Sequence, residues 1–321
     1  MFFGDFVMKK LEVCFVGVGS IAKRHIRNLK EVCKTRSIQV FIDVIRWSGT
    51  KNEDLGTFGI RTVFYEISQL KIQYDIIFIT NPTSLHIDTL KKYHLIGKNF
   101  FIEKPISMVS QIESAKDITY KAGTVYYVAC PLRYSAIIQY IKKNININEV
   151  ISIRSISSSY LPDWRIGKDY RETYSAYRDL GGGVDIDLIH EWDYLVYLFG
   201  IPDYVKCIYG KKSTLEIDSR DFAIYIAEYK DKIAEVHLDY FGRSTIREIM
   251  LLTKNDTIVC DLIKKQVTFL KENKKILFNE ERDDYQKYEL NCFLDMIDRK
   301  VSNSNDIIQA LKILKLTQGE V

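Results

Sequence analysis

The chain has no Cys-x-x-Cys pair: Cys14, Cys33, Cys130, Cys207, Cys260 and Cys292 are scattered along 321 residues. That spacing offers neither the ligand pairs of a structural zinc site nor a disulfide framework. No metal is expected, and the pattern suits a reducing cytoplasm. An excess of charge of one sign is also missing. Lys and Arg total 46 against 42 Asp and Glu, and a net charge of +4 gives no reason to expect a nucleic-acid or anionic-membrane partner. No stretch reaches the roughly 20 apolar residues that span a bilayer. Met1–Val7 is apolar but short, Asp5 interrupts it, and Lys9 and Lys10 follow it, whereas a secretory signal has its charges first. These residues read as an extension upstream of Met8, with no function assigned. Repeats and low-complexity linkers are absent as well.

What is present is ordinary globular composition, 46% hydrophobic and 27% charged, at a length that points to two domains. The first third alternates apolar strands with helical spacing. Leu11–Val16, Val40–Ile45, Asp75–Thr80, Asn99–Ile102 and Val125–Ala129 read as strands, with helices over Ile21–Val32 and Ser84–Ile96. That rhythm implies right-handed crossovers and a parallel sheet. Beyond Glu149 the pattern changes to Val150–Ser157, Phe222–Glu228, Ile233–Tyr240, Ile246–Leu252, Thr257–Leu262 and Gln266–Leu270, with polar turns such as Lys230–Lys232 and Lys254–Asp256. Sequential strands with tight turns predict a mostly antiparallel sheet. Asp187–Phe199, Tyr285–Ile297 and Asp306–Leu316 read as helices. The expected fold is therefore α/β, with a parallel-sheet domain over residues 8–130. An α+β domain with a large, mostly antiparallel open sheet follows over residues 131–321. The terminal helices are free to pack back on the first domain.

Gly17-Val18-Gly19-Ser20-Ile21-Ala22 lies between the first strand and the first helix. Gly17 permits the tight turn, Gly19 lets backbone approach a pyrophosphate, and Ala22 lets helix and strand pack closely. The N–H groups at Ser20 and Ile21 then face the phosphates with the positive end of the helix dipole. This is the dinucleotide-binding arrangement of a Rossmann domain. The second strand ends in Arg46-Trp47-Ser48-Gly49-Thr50-Lys51, where Arg46, Ser48 and Lys51 suit a 2′-phosphate and favour NADP over NAD. Asp43 is the competing reading, a carboxylate for the adenosine ribose, although it falls inside the apolar run. A third reading leaves Arg46 as a solvated strand-end charge.

Three later segments narrow the family: Thr80-Asn81-Pro82-Thr83-Ser84-Leu85-His86, Glu103-Lys104-Pro105, and Gly181-Gly182-Gly183-Val184-Asp185-Ile186-Asp187-Leu188-Ile189-His190-Glu191-Trp192-Asp193. With Gly17–His25 and the late Tyr288–Leu294, they resemble the glucose–fructose oxidoreductase, inositol dehydrogenase and rhizopine-catabolism family (Gfo/Idh/MocA), from about Lys10 to the last helix. The resemblance implies an N-terminal Rossmann domain whose nicotinamide lies against the second domain's sheet. It also implies a Lys104 beside nicotinamide and substrate, a cis peptide before Pro105, and Asn81, His86 and Glu103 near the cofactor. The chemistry suits these residue types. Oxidising a hydroxyl removes a proton as hydride leaves the same carbon, so His190 is the candidate to move the proton and Lys104 to steady the oxygen. Asp187 and Asp193 lie one helical turn either side of His190, and either carboxylate suits fixing the imidazole tautomer. Many family members have Asp four residues before the His; that position here is Ile186, so Asp187 transfers less directly and competes with a capping or ion-pair role. His25 reads as packing or phosphate-adjacent.

The polar-aromatic stretch Tyr160–Arg171, with Trp164, Arg165 and Tyr170, reads as a substrate loop, and Arg133 resembles a family pocket residue. Aromatic faces beside charged forks suit a sugar carrying phosphate, nucleotide or carboxylate; solvated loop charge is the alternative for Arg165 and Arg171. The leading expectation is an NAD(P)-dependent oxidoreductase acting on a sugar, cyclitol or sugar nucleotide, a homo-oligomer in surface-polysaccharide metabolism. A cofactor-binding sensor and a dehydrogenase for a non-sugar substrate are the alternatives.

Overall fold

A computed structural model describes residues 8–47, 55–70 and 73–321, which leaves the Met1–Val7 extension outside the described residues. The chain divides into two compact units. One comprises residues up to Ala129 with Gln286–Ile308, the other Cys130–Tyr285 with Gln309–Val321.

The first unit holds β1 (Lys9–Val16), α1 (Ser20–Thr35), β2 (Ile38–Ile45), β3 (Thr62–Phe64), β4 (Ile76–Ile79), α2 (His86–Tyr93), β5 (Phe100–Ile102), α3 (Ile112–Ala115) and β6 (Tyr126–Val128). Its six strands are parallel, in the order β3-β2-β1-β4-β5-β6. Val13–Val16 and Ile76–Ile79 are buried throughout, as unbroken apolar runs in a parallel sheet should be. α1 buries Ala22, Ile26, Leu29 and Val32, spaced three and four apart on one face. Phe15, Phe78 and Phe101 stack in a row with centroids 4.3 and 4.8 Å apart, and Phe293 meets Phe78 and Phe101 edge-on. The strand order reverses direction between β1 and β4, so the carboxyl ends of those two strands mark the switch point where such sheets bind ligands.

The second unit holds α4 (Ala136–Asn144), β7 (Val150–Tyr160), α5 (Val184–Asp187), α6 (His190–Phe199), β8 (Tyr204–Gly210), β9 (Phe222–Glu228), β10 (Ile233–Asp239), β11 (Phe241–Thr253), β12 (Thr257–Asp261), β13 (Gln266–Phe269) and β14 (Lys274–Leu277). α7 (Arg282–Ile297) starts here and belongs to the first unit from Gln286; α8 (Ile307–Leu316) returns to the second from Gln309. The eight strands run β14-β13-β12-β11-β7-β10-β9-β8 and pair antiparallel, except that β7 and β10 are parallel. Side chains alternate by face. Ile153, Ser155, Tyr225, Ala227, Ala234 and Val236 are buried, whereas Ile156, Ile224, Ile226 and Ile233 are exposed.

One expected element is corrected. The helix predicted over Asp187–Phe199 is two helices, because Ile189 N and Glu191 N bond back only three residues, to Ile186 O and Leu188 O.

Candidate active site

The phosphate turn follows from local sterics. Gly17 has φ +88°, and a Cβ there would lie 2.8 Å from the backbone of Asn81. Only glycine allows β1 and β4 to end this close. Thr80 seals the pair, its hydroxyl donating to Gly17 O at 2.8 Å. Gly19 caps α1 with no side-chain acceptor and open space above its Cα, and no acidic residue lies in the first turn. The N–H groups of Ser20 and Ile21 therefore have no acceptor within their own helix, as a phosphate cradle requires. Asn81 gives its amide N–H to Thr89 Oγ1 at 2.7 Å, and its Oδ1 is buried without a partner. An orphaned acceptor at the switch point fits a donor group on a bound dinucleotide.

At the end of β2, Arg46 is half-buried and Trp47 is 81% exposed; Ser48 and Lys51 lie outside the described residues. Asp43 is buried in the strand. Arg61 donates to both its oxygens at 2.9 and 2.6 Å, and Tyr74 adds its hydroxyl at 2.8 Å. A carboxylate bound this way is a structural anchor for β2 and is not presented at the strand tip.

β5 delivers Glu103 and Lys104, and the Lys104–Pro105 peptide is cis. Glu103 accepts from the Lys104 backbone N–H at 3.2 Å and pairs with Nε2 of His25. Burial alone would push this carboxyl up. The His25 hydrogen bond, with His25, Lys104 and His86 nearby, outweighs it and holds the pKa below the ordinary glutamate value. His25 is 1% exposed, and its ring meets Phe101 edge-on. It is a packing residue that also holds Glu103, which sequence reasoning missed because the two lie far apart in the chain. His86 is buried. Its Nε2 and Nδ1 lie 2.9 Å from Asn81 O and Pro105 O, and burial lowers its pKa against those carbonyls. With both ring nitrogens on backbone, it ties the turn after β4 to the turn after β5.

In the second unit, His190 opens α6 and is half-buried. Asp187, at the end of α5, accepts from Tyr240 Oη at 2.6 Å and is also bonded by Tyr174. The Asp187 charge, then burial, raises the Tyr174 pKa; burial, then Asp187, raises that of Tyr240. Nε and Nη2 of Arg133 donate to the two oxygens of Asp193 at 2.8 Å each. Arg133 is 2% exposed and braces α6 through Asp193. Trp164, Arg165 and Tyr170 come together with Lys168, Pro162 and Thr173 around a shallow recess. Arg171 is held instead by Asp169 and Glu216. Tyr174 and Tyr240 were not legible, since nothing in either residue's neighbourhood marks it as an Asp187 partner.

Residues 11–130 match the model of the oxidoreductase family with an NAD-binding Rossmann fold, GFO_IDH_MocA. D-xylose dehydrogenase of Paenarthrobacter nicotinovorans is 30% identical over 145 residues, 44% of this chain and 37% of that one. The chain spans less than two thirds of the length of the curated relatives it matches. Among solved structures, a levoglucosan dehydrogenase in complex with NADH has a TM-score of 0.83 at 15% identity, covering 97% of this chain and 96% of that one. The WlbA dehydrogenase of Bordetella pertussis, in complex with NADH and UDP-GlcNAcA, has a TM-score of 0.76 at 16% identity over 97% and 95%. These two likenesses concern the fold. Residues 11–130 thus match the NAD-binding Rossmann part of the Gfo/Idh/MocA oxidoreductase family.

Proposed function

We propose that this chain is an NAD(P)-dependent dehydrogenase or reductase acting on a CH–OH group of a sugar, cyclitol or sugar nucleotide. The observation that carries the reading is Lys104, set at the end of β5 with its backbone N–H on the half-buried Glu103 carboxylate. When bound, the nicotinamide cofactor takes or gives the hydride. Gly17, Gly19, Ser20 and Ile21 hold its phosphates, and Asn81 Oδ1 accepts from its other groups. Lys104 hydrogen-bonds the reacting oxygen and steadies its charge, and His190 takes up or returns the hydroxyl proton. Asp187, held by two phenols, keeps a fixed negative charge near the start of α6.

NADP is the preferred cofactor in this reading. Asp43, the carboxylate that would favour NAD, is engaged by Arg61 and Tyr74, while Arg46 stands at the strand end with Ser48 and Lys51 after it. The recess at Trp164, Arg165 and Tyr170 suits the anionic part of a carbohydrate substrate, consistent with a sugar nucleotide of surface-polysaccharide metabolism. The exposed Ile156, Ile224, Ile226 and Ile233 support a homo-oligomer formed on that sheet face, and Ile224→Lys should then lower the mass measured by light scattering. Cysteines scattered along the sequence, with no Cys-x-x-Cys pair, support a cytoplasmic setting. The test of the whole reading is a turnover panel of sugars and sugar nucleotides with NADP+ and NAD+, followed by nicotinamide absorbance. Tight cofactor binding without turnover of any member would favour a cofactor-binding sensor on the same fold.

A further inference from the structure

α6 meets the sheet of the second unit through polar side chains, where an apolar seam is the ordinary solution. Glu191, the residue after His190, is 0% exposed, and its Oε1 lies 2.7 Å from Nε of Arg247 on β11. Tyr194, one turn further on, shares a hydrogen bond of 2.7 Å with Ser155 Oγ on β7. The opposite flank of the helix is held as well. Asp193 takes both Arg133 donors at 2.8 Å, and the Arg133 guanidinium lies 5.3 Å from the centroid of the Tyr197 ring. Successive residues of an α-helix are about 100° apart, so Glu191 lies about 100° to one side of His190 and Asp193 about 60° to the other. The two ion pairs therefore bracket the direction in which the His190 side chain leaves the helix.

Stability is a weak reason for the first of these pairs. The Glu191–Arg247 contact is close but out of hydrogen-bond alignment: among the described residues, neither carboxylate oxygen and not Arg247 Nε has a hydrogen-bond partner. Taking a carboxylate out of water costs more than such a contact returns, and an apolar pair of similar volume is often as stable or more so. An ion pair adds what an apolar seam does not, a single allowed rotation, because turning α6 about its axis strands the Glu191 charge in the interface. We propose that Glu191 and Arg247 are a positioning pair that fixes the rotation of α6 and with it the direction of the His190 imidazole. The catalytic meaning of the pair rests on the reading of His190 as the residue that moves the hydroxyl proton; its hold on the ring does not.

Modification of the full chain by diethyl pyrocarbonate, followed residue by residue by peptide mass mapping, tests this with five histidines reporting at once. Glu191→Leu combined with Arg247→Met replaces the pair by apolar side chains, and thermal stability should stay at or above the parent's. The His190 rate should nevertheless rise about threefold or more as the ring samples further directions, while His25, His86, His94 and His237 keep theirs. Arg247→Lys, which keeps the charge, should stay within about twofold of the parent. An unchanged His190 rate in the double variant overturns the proposal, and so does a rise shared by all five histidines, which marks a loosened fold. Turnover of the sugar or sugar nucleotide that the parent oxidises should fall about tenfold or more in the double variant with KM kept within about twofold, since a misplaced reacting group loses rate before binding. If His190→Ala keeps full turnover, the reading of His190 fails while the modification rates still decide the pair. Should the double variant not fold, Glu191→Gln, with the same shape and no charge, decides in its place: a His190 rate equal to the parent's overturns the proposal.

Discussion

Nε2 of His25 on α1 is bonded to the carboxylate of Glu103 at the end of β5, so the helix that carries the phosphate turn is tied to the residue that precedes Lys104. The pairing joins two functions of the first unit through one buried contact. Its other ring nitrogen, Nδ1, is buried without a hydrogen-bond partner, which leaves Glu103 as the polar contact that fixes the ring.

Glu103→Gln should therefore weaken folding in a pH-dependent way. The Glu103 carboxyl is held below its ordinary value of 4.5, so the stability it contributes is present above that value and lost as pH falls through the lower folded pKa. Denaturant unfolding of parent and variant should differ most near neutral pH and converge in acid, once the pH has fallen through the lowered folded pKa. A constant difference across that range would mean that the carboxylate charge contributes nothing.

Cofactor choice should follow the strand tip. Arg46→Asp is expected to reverse or erase a preference for NADP(H), with a loss of about 1.5–3 kcal/mol in NADP(H) binding by fluorescence titration. Asp43→Asn should leave the preference alone and destabilise the fold, because it weakens the contacts with Arg61 and Tyr74. The opposite result, with Asp43 governing affinity and Arg46 silent, would restore the ribose reading.

Lys104→Ala and His190→Ala should each lower turnover by about 10²-fold or more while the cofactor still binds, since the phosphate cradle lies at Gly17–Ile21. Acting on one proton path, their losses should be less than additive in the double variant. Full turnover in His190→Ala would remove that residue from the mechanism.

Arg133→Ala is expected to act on stability before activity. It leaves Asp193 buried and without its bidentate partner, a loss of about 3–5 kcal/mol by chemical denaturation. A variant that melts with the parent but loses substrate affinity would return Arg133 to the pocket.

The strongly patterned elements were legible in the sequence. Runs such as Asp75–Thr80 and alternations such as Phe222–Glu228 report their burial directly, and the glycines at Gly17 and Gly19 announce the cradle. Less was visible where burial is partial. β8, with Lys206 in its centre, and β14, which begins Lys274-Lys275, are the outermost strands of their sheet and carry polar residues that break the pattern. The interruption at Leu188–Ile189 has no glycine or proline to mark it. Partnerships such as Tyr240 with Asp187 or Arg133 with Asp193 depend on which elements the fold brings together, and local spacing carries no trace of them.

The first unit takes residues from both ends of the chain. Phe293 closes on Phe78 and Phe101, and Asn305 bonds both the N–H and the C=O of Val128 on the edge strand β6. During synthesis the first 129 residues leave the ribosome long before these partners exist. At ordinary elongation rates the interval is roughly ten to thirty seconds. Through it, the nascent domain displays an aromatic face and an unpaired strand edge, and a chain cut short before Gln286 would display them permanently. Chaperone dependence and aggregation of such truncations are thus built into the order in which the sequence is translated.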